Sequence, residues 1–193
     1  MRDEEIRGQL AEEIEARSIQ AKARVQESYE KDKEKHVQAF LKAMDELFRK
    51  YKEKPELGPI KYIWINCMRV SVETESYDYC LRAYGEMLFL DKFEAVVPYV
   101  AEYKLPIMQE DRQFLEKLVM SKVIRAKKYE VCDLRKWYEW NTYIKPMPQE
   151  IEDAIDRISS LQSYQEIEKQ EGLKVYYGEL MEYSEKEYEI EKE

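Results

Sequence analysis

The fold is decided by residues 59–85, which read PIKYIWINCMRVSVETESYDYCLRAYG. Two runs in this stretch are rich in β-branched and aromatic residues, and the polar residues from Glu73 to Ser76 separate them. Such side chains favour strands over helix because they pack well on a pleated surface. We therefore predict a central β-hairpin with strands at about 60–72 and 76–84. The alternative is a single helix from Cys67 to Tyr84.

Side-chain alternation predicts the register of this hairpin. On the first strand the even-numbered residues are mostly apolar, and on the second strand the odd-numbered residues are. Because successive side chains point to opposite faces of a strand, the two apolar sets share one face only in a particular register. The pairs predicted by that register are Val72 with Tyr77, Val70 with Tyr79, and Met68 with Leu81.

Composition describes a one-domain protein with a real core and a charged surface. The chain has 193 residues and a net charge of −9, with 44% hydrophobic and 38% charged residues. No apolar run approaches the roughly 18 residues of a membrane-spanning helix. The N-terminal residues lack the apolar region of a secretory signal. With three cysteines and no facing pair in the predicted hairpin, we expect reduced thiols and a cytoplasmic location.

The N-terminal quarter is predicted to be helical up to about Lys54, since Pro55 is its first proline. From Val37 to Tyr51, apolar side chains recur at three- and four-residue spacing, which predicts a buried stripe. Residues 1–35 lack so firm a stripe. We expect residues 1–35 to form a projecting helical arm that self-associates or binds a partner protein, although its heptads are too irregular to predict a coiled coil.

The rest of the chain is predicted to alternate between helices and short strands. Helices are predicted at about 91–103, 109–143 and 149–170, and a last strand at 173–177 that could pair with the hairpin. Residues 86–90 fit either a third strand or the start of a helix. The sequence from Asp91 to Glu94 has the form of a capping box, and Pro98 should kink or shorten the helix that follows.

Together these patterns predict an α+β fold that is mostly helical. Its sheet is expected to be small, antiparallel, built on the hairpin and covered by helices. We divide the chain into the arm at 1–35, a globular domain at 36–178 and an acidic C-terminal tail at 179–193.

The residue types that common catalytic sites need are scarce. His36 is the single histidine, so a Ser–His–Asp or Cys–His nucleophile and a His-rich metal site lack their usual groups elsewhere. A surface pair with Asp32 is the simpler interpretation of His36. The dispersed glycines form no phosphate-binding loop, and the cysteines lack zinc-site spacing. We predict no metal or other cofactor and no catalytic residues, and leave open a pair of converging carboxylates.

One basic and aromatic cluster rises above this background, between residues 122 and 143. Cations beside aromatic rings suit an acidic peptide or a nucleic-acid strand. The isoelectric point near 5.0 argues against a dedicated nucleic-acid binder, and the aromatic residues could equally complete a buried stripe. The candidate partner-binding residues are Lys122, Arg125, Lys128, Arg135, Lys136 and Trp140.

Three functional hypotheses follow from the sequence. The leading one is a non-catalytic cytoplasmic protein that binds partner proteins or acts as a scaffold, with no membrane partner. The second is a small enzyme or ligand-binding domain that uses Tyr, Glu, Lys and Arg side chains near the hairpin. The third is association with nucleic acid through residues 122–143.

Overall fold

The computed structural model describes residues 2–90, 94–179 and 184–190. It has an α+β fold that is mostly helical, as the sequence predicts. Five strands form one sheet in the order β3-β2-β1-β4-β5. The strands are β1 (Ile60–Cys67), β2 (Asp78–Tyr84), β3 (Ala95–Val100), β4 (Lys169–Gly178) and β5 (Ser184–Glu189).

The sheet is mixed, whereas the sequence analysis predicted a purely antiparallel one. Strand β1 lies at the centre, antiparallel to β2 and parallel to β4. The predicted pairing of a late strand with the hairpin is therefore confirmed. Its direction is parallel because a long helical connection separates β3 from β4 and returns the chain to the far side of β1.

The hairpin exists, but its predicted register is wrong. Strand β1 ends at Cys67, and the helix α4 (Arg69–Glu73) follows it, so Val72 never enters the sheet. Cys67 pairs with Tyr79, and Ile65 pairs with Leu81. The strand predicted at 60–72 is thus five residues too long at its C-terminal end.

Local hydrogen bonds explain why α4 replaces the end of the predicted strand. The Ser71 hydroxyl donates to the Met68 carbonyl at 2.7 Å, and the Thr74 hydroxyl donates to the Val70 carbonyl at 2.9 Å. These short-range bonds compete with a ladder of strand hydrogen bonds. The chain then reverses through Tyr77, whose φ is +52° and whose N–H donates to the Ser71 carbonyl.

The two faces of the sheet have different neighbours. The odd-numbered apolar residues of β1 to β4 belong to the main hydrophobic core, which they share with the helices; they include Ile63, Ile65, Cys67, Tyr79, Leu81, Ala83, Val97, Tyr99, Val175 and Tyr177. We call the opposite, even-numbered side the outer face: Tyr62, Trp64, Asn66, Cys80, Arg82, Tyr84 and Tyr176. Trp64, Cys80 and Tyr84 are buried yet lie outside the main core.

The N-terminal helix consists of α1 (Arg2–Gln9), α2 (Ala11–Lys31) and α3 (Lys33–Lys52). The stripe predicted between Val37 and Tyr51 is buried against the body of the protein. The projection expected for residues 1–35 does not occur in the described part of this segment. Its buried side chains are Ile6, Leu10, Ile14, Ala21 and Tyr29.

Two later helices give the N-terminal helix a surface to pack on. They are α5 (Leu105–Lys122) and α6 (Lys128–Glu139), followed by a π-helical turn at Trp140–Ile144. Arg17 Nε donates to Asp111 Oδ1 of α5 at 2.6 Å, and the Ser18 and Thr142 hydroxyls are 3.1 Å apart. The apolar stripe of α1 and α2 is short and weak, but it is sufficient to pack these helices on the body because polar contacts support it. The domain division at residue 35 stays a prediction.

Several other predicted elements are corrected. The helix predicted at 91–103 is largely replaced by β3, with residues 91–93 of the capping box outside the described residues. Alternate burial of Ala95, Val97 and Tyr99 indicates a strand. Pro98 is tolerated because β3 is an edge strand, where a missing N–H need not break the ladder. Residues 88–90 form a 3-10 turn rather than a strand or a longer helix.

The predicted helices after residue 104 are shorter than expected. The helix predicted at 109–143 breaks at 123–127, where Arg125 adopts a φ of +58°. The helix predicted at 149–170 divides into α7 (Gln149–Ala154), a 3-10 helix (Ile155–Ser160) and α8 (Gln162–Gln165). In the predicted acidic tail, residues 184–189 form β5, which pairs with β4.

Burial of the N-terminal helix leads to a stability prediction. Leu10→Ala should lower the free energy of unfolding by about 2–5 kcal/mol, because Leu10 is fully buried. Ile19→Ala on the same helix should change it by only about 0.5 kcal/mol, since Ile19 is 63% exposed. Urea denaturation followed by circular dichroism measures both. Equal, small effects of the two substitutions would show that the helix projects after all.

Candidate functional site

The six candidate partner-binding residues form two groups near opposite ends of α6. Lys122, Arg125 and Lys128 lie at the turn between α5 and α6, and Arg135, Lys136 and Trp140 lie at or just beyond the C-terminal end of α6. A twelve-residue helix is about 18 Å long, so one small ligand could not contact both groups.

The second group is occupied by contacts inside the protein. Arg135 donates to Glu75 Oε1 at 2.7 Å, and Lys136 forms an ion pair with Glu73. Trp140 is buried, and the Arg69 guanidinium lies 5.3 Å from its ring centroid. These cations and this ring attach α6 to the segment between β1 and β2, which leaves them less available to a partner.

A buried carboxylate lies at the centre of that attachment. Glu139 is almost fully buried and accepts hydrogen bonds from Arg112 Nε at 2.6 Å and from the Tyr77 hydroxyl at 3.1 Å. Burial raises the pKa of Glu139, and the Arg112 guanidinium opposes that rise. Glu139 therefore acts as a structural acceptor in this cluster.

The first group lies on an exposed turn that we call the α5–α6 tip, residues 120–129. Three large apolar side chains face water there: Ile124 is 85% exposed, Met120 63% and Tyr129 56%. Arg125 and Lys128 are exposed and have no ion-pair partner among the described residues. Lys122, by contrast, forms an ion pair with Glu13 of α2. The tip therefore combines exposed apolar surface with unpaired positive charge.

Local hydrogen bonds stabilise the turn of the tip. The Lys127 N–H donates to Glu130 Oε2 at 2.8 Å, which caps α6, and the Ala126 N–H donates to the Val123 carbonyl at 3.3 Å. Glu130 is buried in this role. A fixed turn loses less conformational entropy on binding than a flexible loop does.

Sequence reasoning found the cations of the tip but missed its apolar side chains. Val123 is buried, whereas its neighbour Ile124 is the most exposed of the large apolar side chains among the described residues. The available signal was the end of the helical periodicity at Val123, followed by Arg125 and two lysines.

Two buried carboxylates each accept hydrogen bonds from a pair of tyrosines. Glu150 accepts hydrogen bonds from the Tyr99 hydroxyl at 2.8 Å and the Tyr103 hydroxyl at 2.6 Å. Asp111 accepts from the hydroxyls of Tyr138 and Tyr143, both at 2.6 Å.

The ionisation of these tyrosines is suppressed. Burial raises the pKa of Tyr99 and Tyr103 far above the usual value, and the Glu150 charge raises it further. Both carboxylate oxygens of Glu150 already accept hydrogen bonds from these tyrosine hydroxyls. Glu150 thus links α7 to β3, and Asp111 links α5 to α6 and the turn that follows it, so both carboxylates have structural roles.

Lys104 is a buried cation next to Tyr143. Its Nζ donates to the Tyr143 carbonyl at 2.8 Å and to the Tyr79 hydroxyl at 3.1 Å, and the residue is 5% exposed. Burial lowers the pKa of Lys104 to about 8, and the Glu150 charge opposes that effect.

His36 lies in a solvent-open cleft of about 630 Å³ between the N-terminal helix and β3. Its ring centroid is 4.6 Å from that of Tyr103, so the half-buried imidazole packs on an aromatic ring. The His36 backbone N–H donates to the Asp32 carbonyl at 3.2 Å, but the structure shows no pairing of these two side chains, both of which it describes. The charged residues that line the cleft are exposed and of both signs: Lys31, Asp32, Lys35 and Glu102.

Neither similarity to known proteins nor clustered metal ligands point to a site in the described residues. No family model matches the chain, and neither the curated proteins nor the solved structures gave a match. Among residues 2–90, 94–179 and 184–190, no three His, Cys, Asp or Glu side chains gather as a metal site would require. Within those ranges every helix is too short or too polar to cross a membrane.

The lowered pKa of Lys104 leads to a pH-dependent prediction. Between pH 8 and 10.5, the unfolded chain holds a proton on Lys104 that the folded chain lacks. The contribution of Lys104 to the free energy of unfolding therefore increases with pH in this range. Relative to Lys104→Met, the wild-type protein should gain about 1–3 kcal/mol of stability from neutral pH to about pH 10.

The variant is needed as a reference because the buried tyrosines have the opposite effect above about pH 10. Their pKa is raised, so stability falls as the unfolded chain loses those protons. Chemical denaturation of both proteins across this range measures the difference. A constant difference between them would show that Lys104 titrates normally.

Proposed function

We propose that this chain is a non-catalytic interaction or scaffold protein, and that its α5–α6 tip binds an acidic segment of a partner protein. The observation that carries the proposal is the exposure of Ile124, Met120 and Tyr129 around Arg125 and Lys128. Exposed apolar side chains surrounded by charge are typical of protein-binding surfaces.

Charge supports an acidic occupant. The chain has a net charge of −9, yet residues 111–148 hold more basic than acidic residues. Arg125 and Lys128 would attract a partner carboxylate and orient it, while Ile124 would supply apolar contact. A neutral apolar partner would leave both cations unused.

Self-association through the N-terminal helix, also expected from the sequence, has less support. Ile6, Leu10 and Ile14 are buried against the protein's own body, and Ile19 is the large apolar side chain that stays exposed on α2. One isolated side chain is a small surface for a stable dimer.

An enzymatic role near the hairpin also has less support. The ionisable groups that converge there include Glu139, Glu150 and Lys104, and all three are buried and hydrogen-bonded within the protein. A general acid or base must reach its substrate within hydrogen-bond distance. We also propose a cytoplasmic location, since Cys67, Cys80 and Cys132 form no disulfide with one another.

Charge reversal at the tip tests the proposal. The double variant Arg125→Glu/Lys128→Glu should bind a fluorescein-labelled peptide of glutamate and leucine about tenfold more weakly than the wild-type protein does. Fluorescence anisotropy measures the dissociation constants. Ile124→Ser should weaken binding as well, because it removes the apolar contact and keeps the charge.

A matched control separates the tip from net charge. Lys22→Glu/Lys42→Glu reverses two other exposed lysines and changes the net charge by the same amount. It should bind the peptide nearly as well as the wild-type protein. Equal weakening in both double variants would contradict the proposal. So would binding to phosphatidylserine vesicles or single-stranded DNA without binding to the peptide.

A further inference from the structure

The outer face of the sheet holds a group of buried polar atoms without hydrogen-bond partners. These atoms are Trp64 Nε1, Asn66 Nδ2, Asn66 Oδ1 and Arg82 Nε. Trp64 lies directly opposite Arg82 in the β1–β2 pair, and Asn66 is the next residue of β1 on the same face. Asn66 is fully buried, and Trp64 is 6% exposed.

Buried polar atoms without hydrogen-bond partners destabilise the folded state, so their presence here calls for an explanation. A buried donor or acceptor without a partner destabilises a protein by about 1–3 kcal/mol. Natural interiors leave few such atoms. At this site, four such atoms belong to three neighbouring side chains, which lie on the same face of β1 and β2.

Aromatic rings surround these polar atoms. The Trp64 centroid lies 5.0 Å from that of Tyr176 and 5.1 Å from that of Phe89. Tyr62 stacks on Tyr176 with centroids 6.2 Å apart, and Tyr84 meets Phe89 edge-on at 5.5 Å. A flat ring would find π-faces on which to stack at this site.

Phe89 is the ring on Trp64 that does not come from the sheet. It belongs to residues 85–90, which we call the cover segment. Leu88 in this segment has a φ of +52°, a left-handed conformation that is strained for a residue with a branched side chain. Met87 and Leu90 on either side are 57% and 79% exposed. The cover segment therefore hides Trp64 at the cost of strain and of apolar surface exposed to water.

We propose that the outer face binds a planar heterocycle with the edge pattern of uracil, in which two carbonyl acceptors flank an N–H donor. The ring takes the place of Phe89 and lies beside the indole N–H edge of Trp64, in the plane of the indole. Its carbonyl oxygens accept from the Trp64 indole N–H, the Arg82 Nε–H and the Asn66 amide, and its N–H donates to Asn66 Oδ1. The ligand thereby satisfies all four unpartnered atoms.

The hydrogen-bond inventory favours a ring edge that is rich in acceptors, as this one is. Three of the four unpartnered atoms are donors and one is an acceptor, so the ligand must offer more acceptors than donors. An adenine-like edge offers a single acceptor beside its amino group, which leaves donors of the site unused. Bound water could satisfy the polar atoms but would gain nothing from the aromatic rings.

Uridine titration followed by nuclear magnetic resonance tests the inference. Addition of uridine to 15N-labelled protein should shift the indole N–H signal of Trp64 and the side-chain amide signals of Asn66. Phe89→Ala should bind uridine about tenfold more tightly than the wild-type protein, because the competing ring is gone.

Two controls address hydrogen bonding. Asn66→Leu should lose uridine binding by about tenfold or more, whereas Asn141→Leu, at an exposed asparagine, should bind normally. Asn66→Leu should fold at least as stably as the wild-type protein because it removes an unpartnered amide. The matched ligand 3-methyluridine, whose methyl group replaces the N–H donor, should bind at least about tenfold more weakly.

Two results would overturn the inference. One is that uridine at millimolar concentration shifts neither the Trp64 nor the Asn66 signal in Phe89→Ala. The other is that 3-methyluridine binds as tightly as uridine. Either result would leave the polar atoms with a structural role filled by water.

Discussion

The pairing of β1 on both of its sides is the constraint on which the rest of the structure depends. Ile65 of β1 pairs with Leu81 of β2 and with Tyr177 of β4. All three side chains belong to the main core on the helical side. The next position, Asn66, necessarily points the other way. One strand thus defines two surfaces, a core that holds the helices and an outer face with its own chemistry.

Polar contacts complete the attachment of the helices to the core side. Glu150 and Asp111 accept tyrosine hydroxyls, and Lys104 donates to the Tyr143 carbonyl. Each of these charged groups is buried and would be costly if it lost its partners. Residues of these types also occur in catalytic sites, but here they make their hydrogen bonds within the protein. The exposed cations of the α5–α6 tip, which have no ion-pair partner in the described part of the chain, support the proposed partner binding better for that reason.

Periodicity in the sequence was enough for the larger features. It predicted the helical N-terminus, the stripe from Val37 to Tyr51, the hairpin and the strand near Val175. Alternation also showed that β1 has two differing faces, although it assigned the helices to the even-numbered side. The error arose because Ile63 and Ile65 lie between the aromatic residues of the opposite face, so both faces of β1 are apolar enough to be buried.

Competing local and tertiary effects account for the remaining errors. The side chains of Ser71 and Thr74 close helix α4 in a stretch whose valines favour a strand. The N-terminal helix packs through side chains as small as Ala21, which an amphipathic pattern barely registers. Sequence identified Arg125 and Lys128 as cations, but their freedom from ion pairs depends on acidic residues elsewhere in the fold. The partnerless amide of Asn66 likewise has no signature along the chain.

Interstrand nuclear Overhauser effects in the labelled protein test the central pairing most directly. The structure predicts backbone contacts between Ile65 and Leu81 on one side of β1 and between Asn66 and Gly178 on the other. Contacts between Val72 and Tyr77 as a strand pair, with Ile65 remote from Leu81, would contradict it. That result would move Trp64 and Asn66 to the helical side and remove the basis of the outer face.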